Sequence, residues 1–157
     1  MNNELKRDFT RRLSQCNKSG MIIIIYDIFF TYTQDAKNAL EEKNREEFKQ
    51  SIKKATKTLD ELIGALDFNY ELSAQLYSIY LFCKNELAKS LYEGRKDRII
   101  DAEGLMKSLY ASFKKVAEQD NSESLMSNTQ QVYAGITYGR SQLNENYTND
   151  NHRGFFA

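Results

Sequence analysis

Apolar side chains in the middle of this chain recur at the spacing of an α-helix, and this spacing decides the class of fold. The recurring residues are Phe48, Ile52, Ala55, Leu59, Leu62 and Leu66, at steps of 4, 3, 4, 3 and 4. Such residues share one face of a helix, whereas a strand would alternate at every second position. The sequence contains no proline, so no proline interrupts a long helix. The pattern predicts an all-α protein.

Three further segments show the same helical spacing, so the sequence predicts four long helices. The apolar faces of the two later segments consist of Leu72, Leu76, Ile79, Cys83 and Leu87, and of Ile99, Ala102, Met106, Leu109, Phe113 and Val116. We expect long helices over about residues 19–43, 45–66, 69–92 and 97–118, and a short helix within residues 1–15. Because short turns join long helices, neighbours should be antiparallel in an up-and-down four-helix bundle.

Residues at the ends of these segments predict where the helices begin and stop. Asn44, followed three residues later by Glu47, is a candidate capping box for the second long helix. Asn69 is the expected N-cap of the third long helix, because a short polar side chain there accepts a backbone hydrogen bond. Gly94 is the expected stop of that helix, because glycine adopts the left-handed conformation at low cost.

The last quarter of the sequence differs from the rest. From residue 120 onward asparagine and serine become common, Gly135, Gly139 and Gly154 appear, and no helical period is sustained. We therefore divide the chain into a helical-bundle domain over residues 1–119 and a partly irregular C-terminal extension over residues 120–157.

One segment, MIIIIYDIFF over residues 21–30, is too apolar for a helix that faces only its own bundle. Six consecutive apolar residues turn through about 500° of a helical wheel, whereas a bundle helix needs about three apolar positions in seven. Membrane insertion is not expected, because ten helical residues cover about 15 Å of the roughly 30 Å required. We expect a further surface to cover the run: the N-terminal segment, the extension, a second copy or a partner chain.

The composition argues against catalysis, metal binding and nucleic-acid binding. The 22 basic and 22 acidic residues leave no net field for an anionic polymer. The one histidine, His152, has no second ligand nearby, and neither Cys16 nor Cys83 has an adjacent base. No glycine-rich phosphate loop is present. We predict a protein that is not an enzyme, has no cofactor or metal, and keeps its thiols free in the cytoplasm.

Aromatic residues are the other unusual feature, with ten Tyr and nine Phe but no Trp. Tyr70, Tyr77 and Tyr80 lie on a stripe offset from the apolar face of the third long helix. Tyrosines at the edge of a core, with their hydroxyls in water, would produce this pattern. A groove lined by amphipathic rings that accepts a partner helix would produce it too, so both interpretations stay open.

Three separated segments share a pattern with one known family. Around the third long helix the shared residues are Leu66, Asp67, Phe68, Glu71, Leu72, Ser73, Leu76, Tyr77 and Tyr80. The opening run contributes Ile25, Tyr26 and Asp27, and the second long helix contributes Lys54, Ala55, Leu59, Glu61 and Leu62. In this order and spacing, residues 17–118 resemble the flagellar export chaperone FliS family, the flagellin-specific chaperones of bacteria.

The chain departs from that family at three places. Gln15, Cys16, Asn17, Lys18 and Ser19 replace the family's Thr-Ala-Ser-Pro-Glu, so Ser19 is the expected cap of the first long helix. Phe113 stands where the family often has Trp. Phe9 is the nearest counterpart of an N-terminal Tyr that caps the binding groove of the family.

The resemblance implies a cytoplasmic bacterial chaperone that binds the disordered C-terminal region of flagellin, prevents premature polymerisation and delivers flagellin to the export gate of the flagellar type III apparatus. The residues predicted to line its groove are Ile22, Tyr26, Phe29, Phe30, Tyr70, Tyr77 and Tyr80. Those predicted to cap the groove are Phe9, Tyr133 and Tyr138. The extension would either lie in the groove until flagellin displaces it, or stay packed on the bundle permanently. The alternative hypothesis is a non-catalytic helical-bundle homodimer.

Overall fold

The computed structural model describes residues 1–126, and within them the chain is all-α without a strand. Helix α1 spans Asn3–Gln15, α2 Lys18–Glu41, α3 Arg45–Gly64, α4 Glu71–Glu93 and α5 Lys96–Gln119. The predicted short N-terminal helix and four long helices are confirmed, and each long helix begins and ends within two residues of its predicted bounds. Residues 120–126 contain no helix, and the remainder of the predicted extension lies outside the described residues.

The four long helices form a ring in which each helix packs against two others. Helix α2 packs against α3 and α5, and α4 packs against the same two helices. Tyr26 near the start of α2 contacts Phe113 near the end of α5, whereas Lys37 near the end of α2 contacts Glu103 in the first half of α5. These two helices are therefore antiparallel, as an up-and-down bundle requires. Helix α1 lies outside the ring and packs chiefly against α2.

The core is one continuous cluster that all four long helices fill. Most of its members from α3, α4 and α5 belong to the apolar faces identified by helical spacing: Phe48, Ile52, Ala55, Leu59, Leu62, Leu76, Cys83, Leu87, Ile99, Ala102 and Met106. Leu72 and Val116 are exceptions, because both are exposed. They occupy the first turn of α4 and the last turns of α5, where the ring offers fewer neighbours.

Two predicted helix ends are confirmed. Asn44 caps α3, because its Oδ1 accepts a hydrogen bond from the backbone N–H of Glu47 at 3.2 Å. The side-chain amide of Asn44 also donates to the Glu47 carboxylate at 3.0 Å. The backbone N–H of Asn44 donates to the carbonyl of Ala39 instead, so the reciprocal bond of a capping box is not formed. Gly94 ends α4 in the left-handed conformation, with φ of +67°, as expected for a glycine at this position.

The predicted cap of α2 is wrong. The N-cap is Asn17 rather than Ser19, and Asn17 Oδ1 accepts from the backbone N–H of Gly20 at 2.9 Å. The hydroxyl of Ser19 instead donates to the carboxylate of Asp120, beyond the end of α5. A contact between residues so far apart in sequence cannot be deduced from local capping preferences.

The predicted cap of α4 is also wrong. The N-cap is Tyr70, which makes no side-chain capping bond. Asn69 belongs to the preceding turn, where its backbone and side-chain N–H groups both donate to Asp67 Oδ1, at 3.0 and 2.8 Å. The hydroxyl of Ser73 donates to the Asp67 carbonyl at 2.6 Å. Asp67 therefore organises the turn, and it leaves no capping role for Asn69.

Alanine substitutions at two glycines should change the free energy of unfolding in opposite directions. Gly94→Ala should lower the free energy of unfolding by about 1–2 kcal/mol, because a side chain is strained at positive φ. Gly104→Ala should raise it by about 0.4–1 kcal/mol, because this position is inside α5 and an added Cβ meets nothing within 4 Å. Urea denaturation measures both, and equal signs would contradict the prediction.

Candidate partner-binding surface

The apolar run over residues 21–30 is covered on every side. Ile24, Tyr26 and Phe29 are buried, and the other seven residues are half-buried, so none of the ten is exposed. Inside the ring, α3 and α5 pack against α2, and outside the ring α1 packs against it. Of the covers that the sequence left open, the structure places the N-terminal segment along α2, and the first residues of the extension bond to the start of α2.

Few contacts hold α1 on α2. Phe9 is its only fully buried residue. The guanidinium of Arg12 pairs with the carboxylate of Asp27 and lies 5.5 Å from the centre of the Phe9 ring. At the other end, the amino group of Met1 pairs with the carboxylate of Asp35. Helix α1 is therefore a thin cover, anchored by one aromatic side chain and two ion pairs.

An aromatic cluster joins the first half of α2 to the second half of α5. Tyr26 lies 5.9 Å from Tyr110 and 5.8 Å from Phe113, measured between ring centres. Phe30 lies 5.6 Å from Phe29 and 5.7 Å from Tyr110, both edge to face. Such pairs contribute about 0.5–1.5 kcal/mol each beyond the burial of their area. The cluster thus packs α2 against α5 through aromatic side chains.

Two buried hydroxyls face each other across the ring. The hydroxyl oxygens of Tyr26 on α2 and Tyr80 on α4 are 2.8 Å apart. Burial raises the pKa of both phenols above the ordinary value, and burial also raises the pKa of the nearby Cys83 thiol to about 11. All three groups are therefore neutral at physiological pH, and none of them is an activated nucleophile.

The predicted groove residues fall into three groups in the structure. Tyr26, Phe29 and Tyr80 belong to the core. Ile22 and Phe30 are half-buried against that core. Tyr70 and Tyr77 are exposed.

The predicted caps are also separated. Phe9 is buried on α1, apart from the continuous core cluster. Tyr133 and Tyr138 lie outside the described residues. The structure thus unites the α2 residues with Tyr80, and it places the two exposed tyrosines on a different surface.

That different surface is an exposed apolar stripe along α4, which we call the α4 stripe. It consists of Phe68, Tyr70, Tyr77, Leu81 and Tyr92. From Tyr70 onward the steps are 7, 4 and 11 residues, which keep the side chains on one helical face. The rings of Phe68 and Tyr77 meet edge to face at 5.8 Å. Tyr70 is 68% exposed and Tyr92 is 92% exposed, so the stripe is available to another molecule.

Sequence reasoning missed three members of the α4 stripe: Phe68, Leu81 and Tyr92. Leu81 and Tyr92 follow Tyr77 at helical intervals of 4 and 15 residues, so a search for a second apolar face on the helix would have found them. Phe68 precedes α4 and joins the stripe only through the turn that Asp67 organises. Its position depends on tertiary structure and has no simple periodic signal.

Acidic residues inside the bundle have cationic partners. Glu103 Oε1 lies 2.8 Å from Lys37 Nζ. Glu86 is bonded to Lys89 at 2.7 Å and Arg98 at 3.2 Å, and these cations, Lys89 foremost, lower the pKa of its carboxyl. These carboxylates join neighbouring turns and helices. Within residues 1–126 no group of His, Cys, Asp and Glu is arranged to hold a metal ion.

Comparison with known protein families matches residues 1–120 to the family described as flagellar protein FliS. The match includes all five helices and therefore both the α1 cover and the α4 stripe. No curated protein matches the chain. In the described part of the chain, no helix is long and apolar enough to cross a membrane.

The two buried hydroxyls should depend on each other. Tyr26→Phe or Tyr80→Phe alone leaves one buried hydroxyl unpaired, which should lower the free energy of unfolding by about 1–3 kcal/mol. The double variant leaves no unpaired group and should be more stable than either single variant. Urea denaturation of the four proteins measures this coupling.

Tyr92→Phe is the matched control, because its hydroxyl is on an exposed side chain. This substitution should be neutral. Costs that simply add in the double variant would contradict the proposed dependence.

Proposed function

This chain belongs to the flagellar protein FliS family of export chaperones, and we propose that it binds the disordered C-terminal region of flagellin in the bacterial cytoplasm. Bound flagellin is prevented from polymerising prematurely and is delivered to the export gate of the flagellar type III apparatus. The proposal draws on the family for the identity of the partner, and on the described surfaces for the place where it binds.

The observation that carries the proposal is the α4 stripe. It exposes four aromatic rings and one leucine along α4 and the turn before it, and an aromatic side chain buries about 150–250 Å² when it is covered. An amphipathic helix that lies along α4 would cover these rings with its own apolar face. In this proposal Tyr70 and Tyr77, predicted from the sequence as groove residues, contact the bound helix near the start of α4 and farther along it.

The face of α2 beneath α1 is the second part of the proposed groove. The few anchors of α1 would allow it to leave, and the face of α2 around Asp27 and Asp35, with which the N-terminal segment pairs, would then be open to a helix of flagellin. Ile22 and Phe30, half-buried against the core, would border this face. Tyr26, Phe29 and Tyr80 stay in the core and form the floor that shapes the groove. In this scheme Phe9 acts as the groove cap, because it is the buried anchor of the helix that must move.

A disordered partner suits these surfaces. Its apolar side chains gain burial on both the α4 stripe and the α2 face, and a wrapped interface can offset the ordering of the flagellin chain. The bound segment cannot take part in filament contacts while it is folded on the chaperone. Release then requires competition at the export gate rather than a chemical step.

The α4 stripe also favours a second candidate, a non-catalytic homodimer. An exposed aromatic face can pair with its own copy through a two-fold axis. In that case light scattering of the free protein would give twice the mass of the chain, and Tyr77→Ser would convert the dimer to a monomer. A monomer at all accessible concentrations would exclude this candidate.

The flagellin contact can be tested on the α4 stripe. Tyr77→Ser and Leu81→Ser should each weaken binding to the cognate flagellin about tenfold or more, because central aromatic and aliphatic contacts dominate such interfaces. Both side chains are 37% exposed and the Tyr77 ring packs on Phe68, so each variant should also lose about 0.5–3 kcal/mol of unfolding free energy. Urea denaturation checks that both variants are folded before their affinities are compared. Isothermal titration calorimetry measures the affinity.

Ile100→Ser is the matched control, because Ile100 is 51% exposed but lies on α5, outside the α4 stripe. It should bind flagellin normally. Flagellin without its C-terminal region should not bind at all, and binding that survives this deletion would refute the proposed function.

A further inference from the structure

The chain that follows α5 crosses the junction between α1 and α2. The backbone N–H of Leu125 donates to the carbonyl of Cys16 at 2.9 Å. The side-chain amide of Asn17 donates to the carbonyls of Asp120 and Ser122, at 3.1 and 3.4 Å. The junction is therefore bonded to residues more than 100 positions away in the sequence.

The junction itself is only two residues long. Cys16 and Asn17 connect the end of α1 at Gln15 to the start of α2 at Lys18. Asn17 has two tasks, because its oxygen caps α2 through Gly20 while its amide holds the chain after α5. Hydrogen bonds on both sides of Asn17 thus restrain the orientation of α1 relative to α2.

A carboxylate adds a third point of attachment. The hydroxyl of Ser19, in the first turn of α2, donates to the side chain of Asp120. Asp120 also accepts from the backbone N–H of Ser122 at 2.9 Å, and these hydrogen bonds, Ser19 foremost, lower its pKa to about 2. Asp120 is therefore ionised at neutral pH, and charged acceptors make the stronger hydrogen bonds.

The junction has little spare room. A Cβ added at Gly20 would lie 3.1 Å from Asn17 Oδ1 and 3.1 Å from the Cβ of Cys16. A side chain at position 20 would therefore have to displace Asn17 or Cys16, so the junction packs closely because residue 20 is glycine.

We propose that residues 120–125 form a latch on the α1–α2 junction, which controls how readily α1 leaves α2 and so how readily the groove opens. The inference rests on the proposed function for the identity of the molecule admitted, although the latch itself is defined by contacts within the chain. Helix α1 has one buried side chain of its own, so the bond from Leu125 to Cys16, the C-cap of α1, adds to a small set of restraints on it. A partner that binds or pulls this segment would thereby act on the distant groove cap.

Hydrogen exchange of the full chain tests the latch without any partner. Asp120→Ala and Ser19→Ala each remove the contact between their two side chains and leave the cap of α2 intact. Amide exchange in peptides from α1 should become about fivefold faster or more in both variants, because local opening sets this rate. Exchange in α3, which does not contact the latch, should stay unchanged and reports on the global stability.

Asp101→Ala is the matched control, since it removes an exposed carboxylate from the first half of α5, at the opposite end of that helix from the latch. It should leave exchange in α1 unchanged. Unchanged α1 exchange in Asp120→Ala and Ser19→Ala would overturn the latch, whatever flagellin does. Faster exchange in α1 and α3 alike would also overturn it, because the contact would then support the whole bundle.

A second measurement separates the latch from the proposed function. The affinity of Asp120→Ala for the C-terminal region of the cognate flagellin should rise about threefold or more, because less free energy is needed to move α1. Faster α1 exchange with unchanged flagellin affinity would overturn control of the groove by the latch. Faster α1 exchange with no flagellin binding by any form, the unaltered chain included, would support the latch and refute the proposed partner.

Discussion

The fold depends on the need to cover α2 on all sides. A helix that is apolar around its whole circumference cannot face water, since each exposed isoleucine forgoes about 1.5–3 kcal/mol of burial. The ring supplies the inner cover through α3 and α5, and α1 supplies the outer one. The inner cover is a continuous core, whereas the outer cover is a short helix with one buried side chain. This asymmetry is the reason for our proposal that one face of α2 binds another molecule.

Polar pairs inside the ring fix how the packed helices are aligned along one another. The hydroxyl contact between Tyr26 and Tyr80 relates α2 to α4, and the ion pair of Lys37 with Glu103 relates α2 to α5. Apolar contact tolerates sliding of one helix along another, but a hydrogen bond is satisfied at one register only. The aromatic face of α2 is therefore held at a defined height in the bundle.

The helices could be predicted from the sequence because they follow from short-range periodicity. The periodic apolar faces of α3, α4 and α5 identified most of the core residues. Asn44 and Gly94 indicated where α3 begins and where α4 ends. The misplaced caps show where such reasoning stops. Ser19 and Asn69 each satisfy local preferences, yet Ser19 bonds to Asp120 beyond α5, and Asn69 is held by the turn around Asp67.

The candidate site was predicted in part, for a related reason. The sequence indicated which aromatic residues were unusual, but a helical wheel cannot tell a core tyrosine from a surface one when two apolar faces adjoin. Tyr80 and Tyr77 are three residues apart, and one is buried while the other is exposed. Which face meets α3 and α5 depends on how the helices are rotated in the ring. That rotation is a property of the assembled bundle.

The order of the helices around the ring has a consequence for how the protein is made. Helices α2, α3, α4 and α5 each pack against the next along the chain, so three of the four seams join neighbours in sequence. Such local seams form early and fast. The contact between α2 and α5 can form only after α5 has left the ribosome. Until then the face of α2 that packs against α5 is exposed. The chaperone thus passes through a stage in its own synthesis at which it is itself prone to aggregation.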